Sequence, residues 1–209
     1  MYISGILLMV FVVVIAFRGQ SGIWSNAIML VNVIFAALLA MNYFEPLAKQ
    51  IDSFDRTYRY LTDFLALWGV FAFSVLVMRE ITDRVSKVKV KFVKPVDMGV
   101  GGALACWIAW IMVCFAATTL HTAPLARNFL GFQPEPRTAM FFGLLAPDRE
   151  WLGFTRAESV GPFSRSVSYR VGNQLTPAGP KEFDSTGDFI FKYGARREKF
   201  ETVSGARVN

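Results

Sequence analysis

The sequence has few of the residues from which catalytic, metal and redox sites are usually built. It contains one histidine, His121, and two cysteines, Cys106 and Cys114. A single histidine cannot form a zinc-binding cluster. If the cysteines share one helix, they lie about 12 Å apart, which is too far for a disulfide bond. The GxSxG, HExxH and P-loop motifs are also absent. We therefore expect no enzyme activity, no metal site and no cofactor.

Charge is scarce as well, because 18% of the residues are charged whereas 54% are hydrophobic. A typical soluble domain is about 25% charged. Lysine and arginine outnumber the acids by 22 to 16, giving a pI near 9.5. No helix-turn-helix, zinc or RNA-binding motif accompanies this positive charge, so nucleic acid is not the expected partner. Basic residues beside apolar runs are typical of membrane proteins, and we expect membrane lipids as partners.

Four apolar runs predict membrane-spanning helices, at about residues 2–17, 23–44, 60–78 and 98–120. Roughly 20 apolar residues cross the hydrocarbon core as a helix, because only a helix satisfies its own backbone there. The first run is slightly short, and a cleaved signal peptide is the alternative. A retained helix is favoured because no basic residue precedes the run and no small-residue cleavage site follows it. The sequence therefore predicts an all-α membrane protein, with residues 1–120 forming a four-helix transmembrane domain.

Two connections between the spans have the periodicity of amphipathic helices. Residues 45–59 fit a helix lying at the membrane interface and an exposed loop helix equally well. Residues 79–94 fit a helix or a short strand, and the helix is preferred because an isolated strand leaves its backbone unpaired.

The last part of the chain, residues 121–209, is predicted to be a mostly irregular, partly disordered extramembrane tail. A short helix is expected to begin at Pro147 or Asp148. Residues 161–180 are expected to be an extended or disordered linker, and residues 183–201 a second short ordered element.

Positive charge is concentrated between the third and fourth spans, in six basic residues that face only two acids. They are Arg79, Arg84, Lys87, Lys89, Lys91 and Lys94. Cytoplasmic loops are enriched in such residues, and each is attracted to anionic inner-leaflet lipids by about 1 kcal/mol. These residues therefore predict a cytoplasmic, lipid-binding third loop. The first loop would lie on the same side, and the second loop, the N-terminus and the tail would be periplasmic.

Small and polar residues in the spans, and in the tight turn between the first two spans, predict close helix packing. The candidates are Gly19, Gly22, Asn32, Gly99, Gly102 and Ala103. Small residues let helices of the same chain or of another chain approach closely, so self-association or contact with other membrane proteins is expected. Asn32 is expected to form an interhelical hydrogen bond, and the alternative is a polar wall of a solute path.

Three short motifs resemble those of the colicin V production (CvpA) family over about residues 1–120. They are RGQSG at 18–22, YFEPL at 43–47 and DMGVGGA at 97–103. The resemblance implies a multi-pass protein of the bacterial inner membrane associated with colicin V production and envelope maintenance. Our first hypothesis for its role is an accessory or scaffold protein in toxin production or export. A small oligomeric transporter or channel subunit is the alternative.

Overall fold

The computed structural model describes residues 2–54, 59–86, 90, 92–125, 140–159, 165–166, 169–171, 174–176, 180–181, 183–184 and 187–203. The helices within these ranges are α1 (Tyr2–Arg18), α2 (Ile23–Phe54), α3 (Arg59–Val85), α4 (Lys94–Thr122), α5 (Pro147–Ser159) and α6 (Phe189–Val203). The strands are β1 (Arg165–Ser166), β2 (Tyr169–Val171), β3 (Gln174–Thr176) and β4 (Pro180–Lys181). They form two short antiparallel pairs, β1 with β4 and β2 with β3. The all-α fold class is confirmed, apart from these strands of two or three residues.

Three of the described helices, α2, α3 and α4, are long and apolar enough to cross a membrane, and α1 is a shorter apolar helix. Helix α4 packs against α1 and α2, and α2 packs against α3. Helices α1 and α3 therefore lie at the two outer positions. Their outer faces expose large apolar side chains such as Met9 and Phe73. Such faces are compatible with lipid, since the bilayer core is itself apolar.

The core lies where α2 meets α4 and extends outward to the two helices of the tail. Alanines 36, 37 and 40 of α2 and alanines 105 and 109 of α4 are fully buried, which allows a close approach of the helix backbones. Toward the tail, the core becomes aromatic. The ring of Phe115 stacks on Phe71 at 4.5 Å and meets Trp151 of α5 at 6.4 Å.

The tail carries two helices that pack on the bundle. Helix α5 begins at Pro147, as predicted, and buries Trp151 and Leu152. Helix α6 occupies the second predicted ordered element, and its Phe189 and Tyr193 rings lie 6.4 and 6.3 Å from the Phe44 ring of α2. At the N-terminus of α6, Asp184 Oδ1 accepts the N–H groups of Asp188 and Phe189 at 2.9 and 3.0 Å. The helical parts of the tail are therefore joined to the bundle core.

The second span and the amphipathic segment after it form one helix. Helix α2 continues through Pro46 to Phe54. A separate interfacial helix at residues 45–54 is therefore wrong, and residues 55–58 lie outside the described part. Along this part of α2, Leu47 and Ile51 are exposed whereas Phe44 and Ala48 are buried. Burial of Phe44 and Ala48 favours continuing the helix beyond the proline.

The predicted helix over residues 79–94 is also wrong as a single element. Helix α3 ends at Val85, Val90 and Phe92 are not helical, and Lys94 already begins α4. Lys87, Lys89 and Lys91 lie outside the described residues. Repeated β-branched valines have lower helix propensity than straight-chain residues. Val93 is extended, and Pro95 lies in the first turn of α4, where its missing N–H group is tolerated.

Candidate functional site

The first and third loops meet at one end of the bundle. Trp24 Nε1 donates to Ser86 Oγ at 2.7 Å, which links the start of α2 to the end of α3. The backbone N–H of Ile23 donates to Asp97 Oδ1 at 2.8 Å, which links the start of α2 to the start of α4. The two loops therefore share one end, as the charge pattern predicts.

Asn26 holds this end together. Its side chain is fully buried, and Nδ2 lies 3.2, 3.0 and 2.8 Å from the carbonyl oxygens of Arg18, Ser21 and Gly101. Its Oδ1 accepts from Arg18 Nε at 3.1 Å. A buried polar group without partners costs free energy, and here both ends of the amide have them. Asn26 thus connects the end of α1, the α1–α2 turn and the start of α4.

Close packing at this end leaves little room for a side chain at two of its glycines. A Cβ atom on Gly22 would lie 2.7 Å from Asp97 Oδ2, and one on Gly101 would lie 2.9 Å from the Ser21 carbonyl oxygen. Gly19 follows the end of α1 directly and donates its N–H to Ile15 O at 2.6 Å. The sequence reasoning named Gly19 and Gly22 but missed Gly101. Choosing among the clustered glycines of α4 requires knowing which face of that helix meets the turn.

The other small residues predicted to pack lie on a different face of α4. A Cβ atom on Gly99 or Gly102 would meet nothing within 4 Å among the described residues. Ala103 is exposed. No packing partner for this face is therefore present within the described chain, and a contact with another chain stays a prediction.

Asn32 bridges α2 and α3. It is 2% exposed, and its Nδ2 donates to Thr82 Oγ1 at 3.1 Å. The interhelical hydrogen bond expected from the sequence is therefore present. Asn42, also buried in α2, donates within its own helix, to Leu38 O at 2.9 Å.

Three of the six basic residues predicted to bind lipid lie in the described part of the chain. Two of them pair with acids, and the third lies at the start of a helix. Arg79 lies 3.6 Å from Asp83, and Arg84 lies 2.8 Å from Glu80, both in exposed pairs along α3. Lys94 is exposed at the start of α4. Exposed pairs of this kind contribute little to stability, typically below about 1 kcal/mol.

A cleft of about 1150 Å³ opens at the same end, between the end of α1, the start of α2, the end of α3 and the start of α4. Its walls carry Arg18, Arg79, Asp83 and Asp97, and also apolar side chains that include Ile28 and Met29. Charged and apolar chemistry therefore lie next to each other in one cleft, and we take it as the candidate functional site.

The opposite end is closed by ion pairs between the tail and the bundle. Lys192 of α6 lies 2.6 Å from Glu45 of α2, and Arg196 pairs with Asp63 of α3. Around these pairs is a smaller cavity of about 450 Å³. Sequence reasoning missed both pairs, because the partners are more than 130 residues apart along the chain.

The histidine is part of the same closure. His121 Nε2 lies 3.0 Å from Asp148 Oδ2 of α5, and the two side chains are 0% and 5% exposed. Arg197 of α6 donates to the His121 carbonyl oxygen at 3.1 Å. The end of α4 is therefore held by both tail helices. In the described part of the chain, no group of three or more His, Cys, Asp or Glu side chains could hold a metal ion.

Apolar helices of membrane-spanning length, with charged groups gathered toward their ends, define a multi-pass helical membrane protein. The family model described as Colicin V production protein matches residues 3–146, which is more than half of the sequence. The chain belongs to that family. The match extends past the four spans to the start of α5, farther than the motifs at residues 18–103 indicate. No curated protein and no solved structure matches the chain.

Proposed function

We propose that this chain is an accessory or scaffold protein of the bacterial inner membrane, serving toxin production or export and envelope maintenance. Membership of the colicin V production protein family supports a role in toxin production. One observation supports the mode of action: the buried Asn26 and Asn32 are used to join the chain's own helices. The outer faces of α1 and α3 remain available to lipids or to other membrane proteins.

We propose no catalytic role for the chain. The single histidine, His121, is fully buried and bonded to Asp148. It is therefore poorly placed to exchange protons with a substrate, which a general acid or base must reach at about 3 Å.

The proposed orientation places the cleft end in the cytoplasm and the tail end in the periplasm. The six basic residues of the third loop support this assignment. The cytoplasmic end would then face anionic lipid, and helices α5 and α6 would face periplasmic partners.

The scaffold role predicts a stable complex with other membrane proteins. The chain would be expressed at its natural level, extracted in mild detergent and measured by native mass. Its partners would be identified and then deleted one at a time, with release of colicin V and resistance to an added detergent as readouts. A complex whose partners share the deletion phenotype supports the scaffold, whereas a chain without partners contradicts it.

A small oligomeric transporter or channel subunit is the second candidate. The observation in its favour is that Asn32 lines the cleft, so a polar group lies on the wall of an open space. This function predicts a homo-oligomer that supports ion or solute flux in liposomes. Substitution of Asn32 with leucine should then change the flux, and an unchanged flux would contradict a polar path through this residue.

A further inference from the structure

We propose that the cleft at the cytoplasmic end binds one membrane phospholipid. Arg18 and Arg79 hold its phosphate, and its acyl chains lie against apolar side chains of α2 that include Ile28 and Met29. This is a defined site, and it is distinct from the general attraction between the basic third loop and anionic lipid.

The shape of the cleft suits a lipid. Trp24, Ile28 and Asn32 line it from α2 at intervals of four residues, so they form one face that runs for about 12 Å. Thr82 lines it from α3, and Ser86 lines it just past the end of that helix. The cleft is therefore a groove between α2 and α3 whose mouth is lined by the first and third loops.

Arg18 is positioned in advance for a ligand. Its Nε bonds Asn26 Oδ1 at 3.1 Å, and its Nη2 bonds Ser25 O and Oγ at 3.1 and 3.2 Å. A guanidinium group has five N–H donors, so further donors are left beyond these three contacts. Pre-positioned arginine is well suited to phosphate, because its planar donors match the phosphate oxygens.

Arg79 provides the second cation on the opposite wall. Its contact with Asp83 is long, at 3.6 Å, and exposed to solvent. Such a pair costs little to rearrange, so the side chain can turn to a phosphate. Arg18 and Arg79 thus face the same space from α1 and α3.

The expected depth of the cleft in the membrane and its balance of charges both suit a phospholipid headgroup. Trp24 and the charged residues at this end are typical of the membrane–water interface, whereas Ile28 and Met29 lie on the apolar side. Asp83 and Asp97 balance the two arginines within the cleft. The site should therefore recognise the phosphate itself and accept zwitterionic as well as anionic phospholipids.

The test is lipid titration of the delipidated full chain in detergent, followed by native mass spectrometry. We expect one phosphatidylethanolamine or phosphatidylglycerol per chain. Arg79→Gln should weaken binding about tenfold, the loss expected for one charge-assisted hydrogen bond. Lys49→Gln removes a positive charge at the opposite end and should leave the affinity unchanged. If Arg84→Gln weakens binding as much as Arg79→Gln, the lipid is held by loop charge and the proposal fails.

A second pair of variants tests the groove without changing charge. Ile28→Trp fills the cleft wall and should abolish the bound lipid, whereas Val31→Trp places the same ring on an exposed face of α2 outside the cleft. Equal lipid binding by the two tryptophan variants would overturn the site.

Free phosphate and glycerol phosphate separate a lipid site from a simple anion site. We expect neither to displace the lipid at millimolar concentration, because they lack the acyl chains. Displacement by either one would overturn the lipid assignment. Binding that requires an anionic headgroup and disappears at about 0.5 M salt would also overturn it, because screening removes attraction between exposed charges.

Discussion

At the scale of single residues, the buried amide of Asn26 connects several elements at the cleft end of the bundle. One side chain connects the ends of three elements, because its Nδ2 faces three carbonyl oxygens in a buried position. Asn32 Nδ2 makes one interhelical contact, to the hydroxyl group of Thr82. The two buried asparagines can therefore be compared directly, because Asn26 contacts three backbone carbonyl groups whereas Asn32 contacts one side-chain hydroxyl group.

Substitution of Asn26 with leucine should lower the free energy of unfolding by roughly 2–3 kcal/mol, because it removes the amide's contacts with three carbonyl oxygens and the acceptor of Arg18 Nε. Substitution of Asn32 with leucine should cost only about 1 kcal/mol, the value of one hydrogen bond between membrane helices. Thermal or denaturant unfolding in detergent measures both. An equal loss in the two variants would contradict the central position of Asn26.

At the scale of elements, the contact between the α1–α2 turn and the start of α4 depends on which glycine faces the turn. The sequence shows three glycines between Gly99 and Gly102, and their spacing does not identify the one that packs. In the fold, Gly101 lies against Ser21, whereas a Cβ atom on Gly99 or Gly102 would have no described atom within 4 Å. The helix and its small residues were therefore predictable, but the rotation of α4 follows from contacts with distant parts of the chain.

Alanine at positions 101 and 102 should have opposite effects. Gly101→Ala places a Cβ atom 2.9 Å from the Ser21 carbonyl oxygen, so the turn or helix must shift and stability should fall. Gly102→Ala meets none of the described residues within 4 Å and should raise stability by up to about 1 kcal/mol through helix propensity. Midpoints of thermal unfolding compare the two. Lower stability in both would imply a contact at Gly102, and native mass would show whether that contact is with another chain.

Helix α6 is a second element whose place was not evident from the sequence. Its composition predicts an ordered segment, but the partners Phe44, Glu45 and Asp63 belong to the spans. Apolar periodicity indicates that a helix forms and not which surface it covers.

The docking of α6 should depend on Tyr193. Its ring is 3% exposed and packs on Phe44 and Phe189, so Tyr193→Ala should cost about 3–5 kcal/mol of packing. The matched control is Phe191→Ala, because Phe191 is 62% exposed on the same helix. Limited proteolysis should cut the tail of the Tyr193 variant much faster than that of the wild type. Equal cleavage of both variants would contradict the docking of α6 through this ring.

At the scale of the whole molecule, the bundle has two different ends. The first and third loops meet at one end, through contacts such as Trp24 with Ser86. Helices α5 and α6 close the other end, where His121 pairs with Asp148. The sequence predicted the shared end of the two loops, because charge bias and the number of spans determine it. The closure by the tail depends on side-chain contacts that a periodicity pattern does not contain.

The difference between the ends gives a direct test of orientation. With Cys106 and Cys114 replaced by alanine, a cysteine at Val90 in the third loop should resist impermeant thiol reagents in intact cells. Cysteines at Ser53 and Ser185 should be labelled, because the second loop and the tail would be periplasmic. Labelling of the cysteine at position 90 would show that the orientation is the opposite of the one proposed. The cause is charge bias, so replacing the five residues Arg84, Lys87, Lys89, Lys91 and Lys94 with glutamine should produce chains of both orientations. A single, unchanged orientation after this replacement would show that charge in the third loop does not set the topology.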